Sequence, residues 1–157
     1  MIEVADAPFF FGLNSDPLVL EFTGDEPFAD LAEAEAFIGA YDQYRRFARG
    51  RMAIEWKETG ELLGWCGLKY HEDTGETDIG YRMLRKFWNR GFATEAAQAA
   101  IEDGRTRLGL DRVVAHIHPG NAASFRVAAK LGMGFCREYI WEGQTWHQWE
   151  KFLLRQT

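Results

Sequence analysis

The sequence predicts an α+β fold of three layers: a mixed, mostly antiparallel sheet with helices on both faces. Three observations carry this. Three strand-like runs at 52–57, 62–70 and 78–84 are joined by tight turns. A helix, a strand at 112–118 and a second helix follow. A last hairpin, 134–141 and 146–154, turns at Glu142-Gly143. Hairpins require antiparallel pairing, whereas a strand–helix–strand unit allows a parallel crossover, so both kinds are expected in one sheet.

In chain order, residues 5–13 form a short apolar helical stretch broken at Ser15-Asp16-Pro17. Pro27 precedes a stronger helix, with Asp30 and Glu33 spaced as a capping pair. Leu31, Ala34, Phe37, Ile38, Tyr41 and Tyr44 recur there at helical spacing, which predicts one face packed on the sheet. Arg45, Arg46, Arg49 and Arg51 make a local basic cluster, read as a solvated helix end in preference to a phosphate site. Glu58-Thr59-Gly60-Glu61 and Asp73-Thr74-Gly75 supply the hairpin turns. An alanine-rich helix is predicted from Ala96 to about Leu108, and a second from Asn121 to Leu131 after a turn at Pro119-Gly120. In the tail, Tyr139, Trp141, Trp146 and Trp149 read as sheet residues packed on one face, with cleft lining as the alternative.

At 157 residues the chain is expected to be one domain, 1–157. Its residues are 46% apolar, with six Trp and twelve Phe for a core, and its charges are well mixed, which excludes a disordered chain. A net charge of −6 argues against nucleic-acid and anionic-membrane partners and mildly favours cationic substrates. Cys66 and Cys136 are too few for a disulfide scaffold and fit a reducing cytoplasm. No signal peptide, membrane-spanning apolar run, repeat or low-complexity tract is visible.

Between the third strand and the alanine-rich helix lies Trp88-Asn89-Arg90-Gly91-Phe92-Ala93-Thr94-Glu95. A strand, a short loop with Arg-Gly-x-Ala and a helix start suit an anion. Gly91 lets the backbone approach it, Ala93 adds little bulk, and the helix's unpaired first-turn N–H groups face the ligand. The commoner phosphate loops, G-x-x-x-x-G-K-[ST] and G-x-G-x-x-G after a strand, are both missing. The stretch resembles the acyl-CoA pyrophosphate loop of the GNAT superfamily of N-acetyltransferases, Q/R-x-x-G-x-G/A between the family's fourth strand and third helix. Gly91 and Ala93 match its last two positions, while Trp88 stands where Gln or Arg is usual. The run Phe87-Trp88-Asn89-Arg90-Gly91-Phe92-Ala93-Thr94-Glu95-Ala96 is similar to the RimJ/RimL branch, which acetylates ribosomal-protein N-termini and other amines. The strand order matches the family from its second strand onward. Only Met1-Ile2-Glu3-Val4 stand where the family's opening strand would be, so either the start is truncated or the sheet lacks that edge strand. A bare edge invites pairing with another chain, and a homodimer is an expectation.

The resemblance implies a mechanism. The family's fourth and fifth strands, here 78–84 and 112–118, splay apart and hold the pantetheine arm of acetyl-CoA between them. The thioester carbonyl would lie near a backbone N–H of Met83 or Leu84. The pyrophosphate would rest on the amides of Asn89, Arg90, Gly91, Phe92, Ala93 and Thr94, with Arg85, Lys86 and Arg90 able to add charge. A second family motif, Asn-x-x-Ser-x-x-Val-x-x-Lys-x-Gly, reads Asn121, Ser124, Val127, Lys130 and Gly132. As residues alone these are a helix N-cap, a first-turn serine and a helix-ending glycine. The resemblance adds that Asn121 binds the pantetheine and that Ser124 lies near the sulfur. The Tyr that many members carry seven residues after the Asn is Ala128 here, which leaves Ser124 as the proton donor, directly or through water.

For a general base the candidates are Asp78, His71, His116 and His118, with Ser124, Asp78 and His71 the expected catalytic set. Roughly one α-amine in ten is neutral at pH 7, against about one lysine amine in a few thousand, so an α-amine needs less help from a base. His116-x-His118 resembles a metal pair without a suitably spaced third ligand, and no metal is expected. Neither cysteine has a base placed beside it, which favours direct transfer over an acyl-cysteine. The acceptor is expected to be a small-molecule amine or a protein N-terminus. An acyl-CoA-binding regulatory module without turnover is the alternative, and a plain interaction domain the third reading.

Overall fold

In the computed structural model, which describes residues 1–154, short helices open the chain: α1 Ala7–Leu13 and α2 Pro17–Leu20. Both carry proline in the first turn, where its missing N–H costs nothing. The last three residues of the expected domain lie outside the described residues. Helix α3, Leu31–Ala40, starts on the capping pair read from the sequence. Asp30 accepts a hydrogen bond from the Glu33 N–H at 2.8 Å, and the Glu33 carboxylate accepts one from Ala29 N at 2.5 Å.

The helix stops sooner than its periodicity suggests. Tyr41 is extended, and the chain resumes as α4, Gln43–Phe47. The two tyrosines are pulled out of register by their hydroxyls, Tyr41 accepting from Arg51 N at 3.0 Å and Tyr44 from Ile2 N at 3.3 Å. Nor does the apolar face of α3 pack on the sheet. The helix lies against α1, and Phe37 is 59% exposed.

The sheet comprises β1 Arg51–Glu55, β2 Leu62–His71, β3 Glu76–Met83, β4 Arg112–Ile117, β5 Gly134–Trp141 and β6 Gln144–Phe152, in the order β1-β2-β3-β4-β6-β5. Helix α5, Phe92–Thr106, connects β3 to β4, and α6, Ala122–Lys130, connects β4 to β5. Every neighbouring pair is antiparallel except β3–β4, which is parallel and meets only at Asp78 opposite Val114. Beyond that bridge the two strands part, giving the splay that the family resemblance implies. The β5–β6 turn places Glu142 at φ 47° and Gly143 at φ 75°, the left-handed pair that matches hairpin twist.

Side chains alternate between the faces. Cys66, Leu68, Ile79, Val113, Ala115 and Ile117 face α5 and α6 and pack on Ala97, Ile101, Ala128 and Leu131. On the other face Trp65 and Ala53 meet Phe10, Leu13 and Val19. The aromatic tail divides between these layers. Trp149 packs with Phe125 in the α5/α6 layer, whereas Tyr139, Trp141 and Trp146 face a cavity on the opposite side. Strands β1 and β5 form the two edges, and no strand precedes β1 among the described residues. Cys66 is buried, and Cys136, on β5, is exposed. Among the described residues no helix is long and apolar enough to cross a membrane.

Candidate active site

Helix α5 begins at Phe92, before the alanine run that marks it in the sequence. Its first helical bond runs from Glu95 N to Gly91 O at 3.0 Å, so the N–H groups of Phe92, Ala93 and Thr94 have no acceptor within the helix. Gly91 takes φ 85° and Asn89 φ 58°, turning the strand end sharply into the helix. A Cβ on Gly91 would meet nothing within 4 Å, so glycine is required there for its left-handed backbone. Trp88 donates its indole N–H to Met83 O at 2.9 Å and ties the loop to the end of β3. The cleft in front of these amides encloses about 560 Å³, with α6 as its second wall.

The expected loop cations are engaged elsewhere. Arg85 pairs with Asp16 at 2.5 Å, and Lys86 pairs with Glu61. The Arg90 guanidinium lies over the rings of Trp56, Phe87 and Phe92, at 4.8, 5.7 and 5.2 Å, and does not line the cleft. The cations that do line it are Arg82 on β3, which pairs with Asp25, and Arg126 and Lys130 on α6. The i,i+4 spacing of the last two, on the helix that carries Asn121 and Ser124, was the available signal.

One of the two expected backbone donors is also engaged elsewhere. Leu84 N donates to Leu63 O at 2.9 Å, so its N–H is taken by β2. Hydrogen-bonding direction alternates along a strand, and the N–H groups of Met83 and Tyr81 therefore face the gap between β3 and β4. Across the gap Asn121 caps α6, its side chain accepting from Ser124 N at 3.1 Å. That bond leaves the Asn121 amide nitrogen available to a ligand.

On the opposite side of the sheet a second cavity, about 890 Å³, holds the candidate base. Asp78 from β3 meets the Arg51 guanidinium at 3.0 Å and His71 Nε2 at 3.3 Å. The His71 contact is close but not an aligned hydrogen bond. Burial opposes charge on Asp78, but Arg51 and then His71 outweigh it and hold the carboxyl well below its ordinary range. Gly80 makes the Arg51 contact sterically available, because a Cβ there would sit 2.7 Å from the guanidinium. His116 from β4 packs edge-on to His71, with ring centroids 5.9 Å apart, and its Nδ1 is 2.8 Å from the Tyr139 hydroxyl. Burial lowers the His116 pKa, so the imidazole is neutral at pH 7.

Arg51 was thus misread as part of a solvated helix end. Ligand atoms of His71, Asp78 and His116 lie within 4.8 Å of one another, a third partner for His116 that spacing did not reveal. Arg51 already brings a positive charge to the carboxylate in that cluster. His118 lies apart, accepting from Gly120 N at 3.0 Å and stacking on Phe22 at 5.3 Å. The two cavities share one wall made of Phe22, Thr23, Tyr81, Arg82, Asn121 and Ser124.

Residues 1–134 match the acetyltransferase (GNAT) domain family. The chain belongs to that family. The GNAT chain is 33% identical over 143 residues to the uncharacterised N-acetyltransferase p20 of Bacillus licheniformis, covering 88% of this chain and 80% of the relative. Among solved structures, RimL, a ribosomal L7/L12 α-N-protein acetyltransferase in complex with coenzyme A, superposes with a TM-score of 0.82 at 16% identity, over 97% of this chain and 91% of that one. A spermidine N-acetyltransferase from Vibrio cholerae, in complex with CoA and spermine, gives 0.80 at 18% identity, over 96% of this chain and 92% of that one. At such identities the structures speak to the fold. This GNAT protein is an acetyl-CoA-dependent acyltransferase, and acetyl-CoA is its co-substrate. The strands part beyond the Asp78–Val114 bridge, and the first-turn amides of α5 have no helical acceptor, features that suit an extended arm and an anion.

Proposed function

We propose that this acetyltransferase moves an acetyl group to a primary amine by direct attack in a ternary complex, residues 1–157 forming one cytoplasmic catalytic domain. The observation that carries the reading is the shared wall: Ser124 borders both the cofactor cleft and the separate cavity holding His71 and Asp78. Donor and acceptor can therefore enter from opposite sides and meet at Ser124. The thioester carbonyl receives the N–H of Met83 or Tyr81 as negative charge develops on oxygen. Asp78 orients His71, which takes the amine's proton through water. Ser124 gives a proton to the departing sulfur, whose thiol has a reference pKa of about 8.5 and leaves more readily when protonated.

The acceptor we favour is an α-amine, small-molecule or protein N-terminal, because such amines are already partly neutral at pH 7. RimL acts on a ribosomal-protein α-amine and the Vibrio enzyme on spermidine, and these define the first panel to assay. Release of free thiol from acetyl-CoA with one of these amines supports the reading. Tight acetyl-CoA binding with no thiol release under any amine would make the chain a binding module instead.

Two measurements test the roles. Ser124→Ala should lower kcat by roughly 100-fold or more, within the range for a lost general acid, while acetyl-CoA affinity changes less than about twofold. A large loss of affinity would make Ser124 a cofactor contact. Turnover of an α-amine should level off below the acceptor's own pKa, as a protein base takes over. In His71→Gln the rate should instead climb with pH along the acceptor's titration. Identical pH profiles for the two proteins would exclude His71 as the base.

A further inference from the structure

The ladder between β5 and β6 slips by one residue at Cys136: Phe135 lies opposite Trp149, and the next pair is Arg137 opposite Gln148. The extra residue decides which way Arg137 faces. In an unbroken ladder it would lie opposite His147, which packs on Phe125 in the α5/α6 layer. The bulge turns it instead to the face of the cavity that holds His71 and Asp78, which it lines. There Arg137 Nε donates to Gln148 Oε1 at 2.6 Å. Gln148 is 1% exposed, and its amide nitrogen donates to Glu76 Oε1 at 2.9 Å. The glutamine is thus held at both ends. It stands between Arg137 and a carboxylate that Arg112 already neutralises at 2.9 Å. The Arg137 guanidinium, 5.6 Å above the Tyr139 ring, is fixed in place with no acidic partner among the described residues. We infer that Arg137 is a specificity residue that receives a carboxylate of the acceptor, and that the acceptor is an amino acid or a similar small amino-carboxylate. The inference rests on this cavity admitting the acceptor, as in the proposed reaction.

A guanidinium held by its Nε keeps both Nη groups for a planar partner, and a carboxylate matches them with two parallel hydrogen bonds. Most other charges on the cavity wall are matched within the protein. Arg82 pairs with Asp25 at 2.6 Å and Arg51 with Asp78 at 3.0 Å. Glu26 and Asp73 are exposed in a loop and a turn, where water and salt screen them, and Lys69 on β2 adds a second cation to the wall. Glutamine at 148 matters, because a glutamate there would neutralise Arg137 and leave no charge for a ligand. A polyamine offers nothing to Arg137 and is repelled by it. A peptide α-amine places an amide where a free amino acid has its carboxylate.

Thiol release from acetyl-CoA, measured on the full chain, tests this with matched pairs: each common amino acid beside its C-terminal carboxamide, and spermidine as a third kind of amine. A carboxylate stabilises the neighbouring ammonium form, so the amide's amine is the less basic of each pair and chemistry alone favours the amide. The parent should nonetheless prefer the acid of at least one pair by roughly 10-fold or more in kcat/KM, most of it in KM, the weight of a charge-assisted hydrogen bond. Arg137→Gln should bring the KM values of that pair together. Arg137→Lys keeps the charge and loses the fork, and should fall between. A preference for the acid that survives in Arg137→Gln would overturn the inference, as would a parent that uses spermidine or the amides in preference to every acid. Those outcomes leave acetyl transfer to an amine intact. No thiol release with any of these amines would instead overturn the proposed reaction, and the inference with it. Thermal melts check that Arg137→Gln folds. Should it not, the parent's acid-to-amide ratio alone decides.

Discussion

Ala93→Glu should abolish acetyl-CoA binding while leaving the chain folded. Ala93 is the second residue of α5, half-buried at the cleft, with an N–H that has no helical acceptor. A glutamate in a helix's first turn is itself favourable, by about 0.3–1 kcal/mol, which offsets part of the packing lost where Ala93 meets the Leu63, Met83 and Phe87 cluster. Its carboxylate would lie in the pyrophosphate site we propose, taking the same amides and repelling the same charge. We expect affinity to fall by roughly 1,000-fold or more, about 4 kcal/mol, by titration calorimetry. The melting temperature should also stop responding to acetyl-CoA. Parent-like binding in a folded mutant would move the cofactor away from this loop.

The second large effect concerns stability. Asp78→Asn keeps the shape of the side chain and removes its charge, leaving the Arg51 guanidinium, 15% exposed, without an anionic partner. Breaking a buried pair from one side costs about 3–5 kcal/mol, which for a chain of this size lowers Tm by roughly 10 °C. The pH dependence has a definite sign. The Asp78 pKa is depressed on folding, so its contribution is complete above the unfolded carboxyl value of about 3.9 and disappears as pH falls toward the folded one. Parent and mutant should therefore differ most near neutrality and converge only in strong acid. Matching urea midpoints at pH 7 would mean that the Arg51–Asp78 contact stabilises nothing.

What could be read from the sequence was local. The Asp30–Glu33 capping pair and the Asn121 cap depend on residues a single turn apart. The β5–β6 turn needs only Glu142-Gly143 between two apolar runs. Contacts made across the sheet were hidden. Arg51 follows three other arginines closely enough to resemble a solvated cluster, yet its partner lies 27 residues away on the far side of β2. Trp149 was grouped with Trp146, although an interval of three residues puts them on opposite faces of a strand. The α5 start was set too late because an alanine pattern marks the helix body, whereas the start depends on the left-handed Gly91.

The two thiols have a practical meaning. Burial pushes the Cys66 thiol up to about 12, and since alkylating reagents attack the thiolate, they leave it untouched. Cys136 lies open on the outermost strand. A maleimide dye therefore attaches at a single place on each folded chain, at the sheet's margin. Its rate of attachment reports whether another chain lies along β5, with no need for a crystal. The same thiol consumes disulfide reagent in any assay that counts released coenzyme, and has to be titrated out before the first turnover is read.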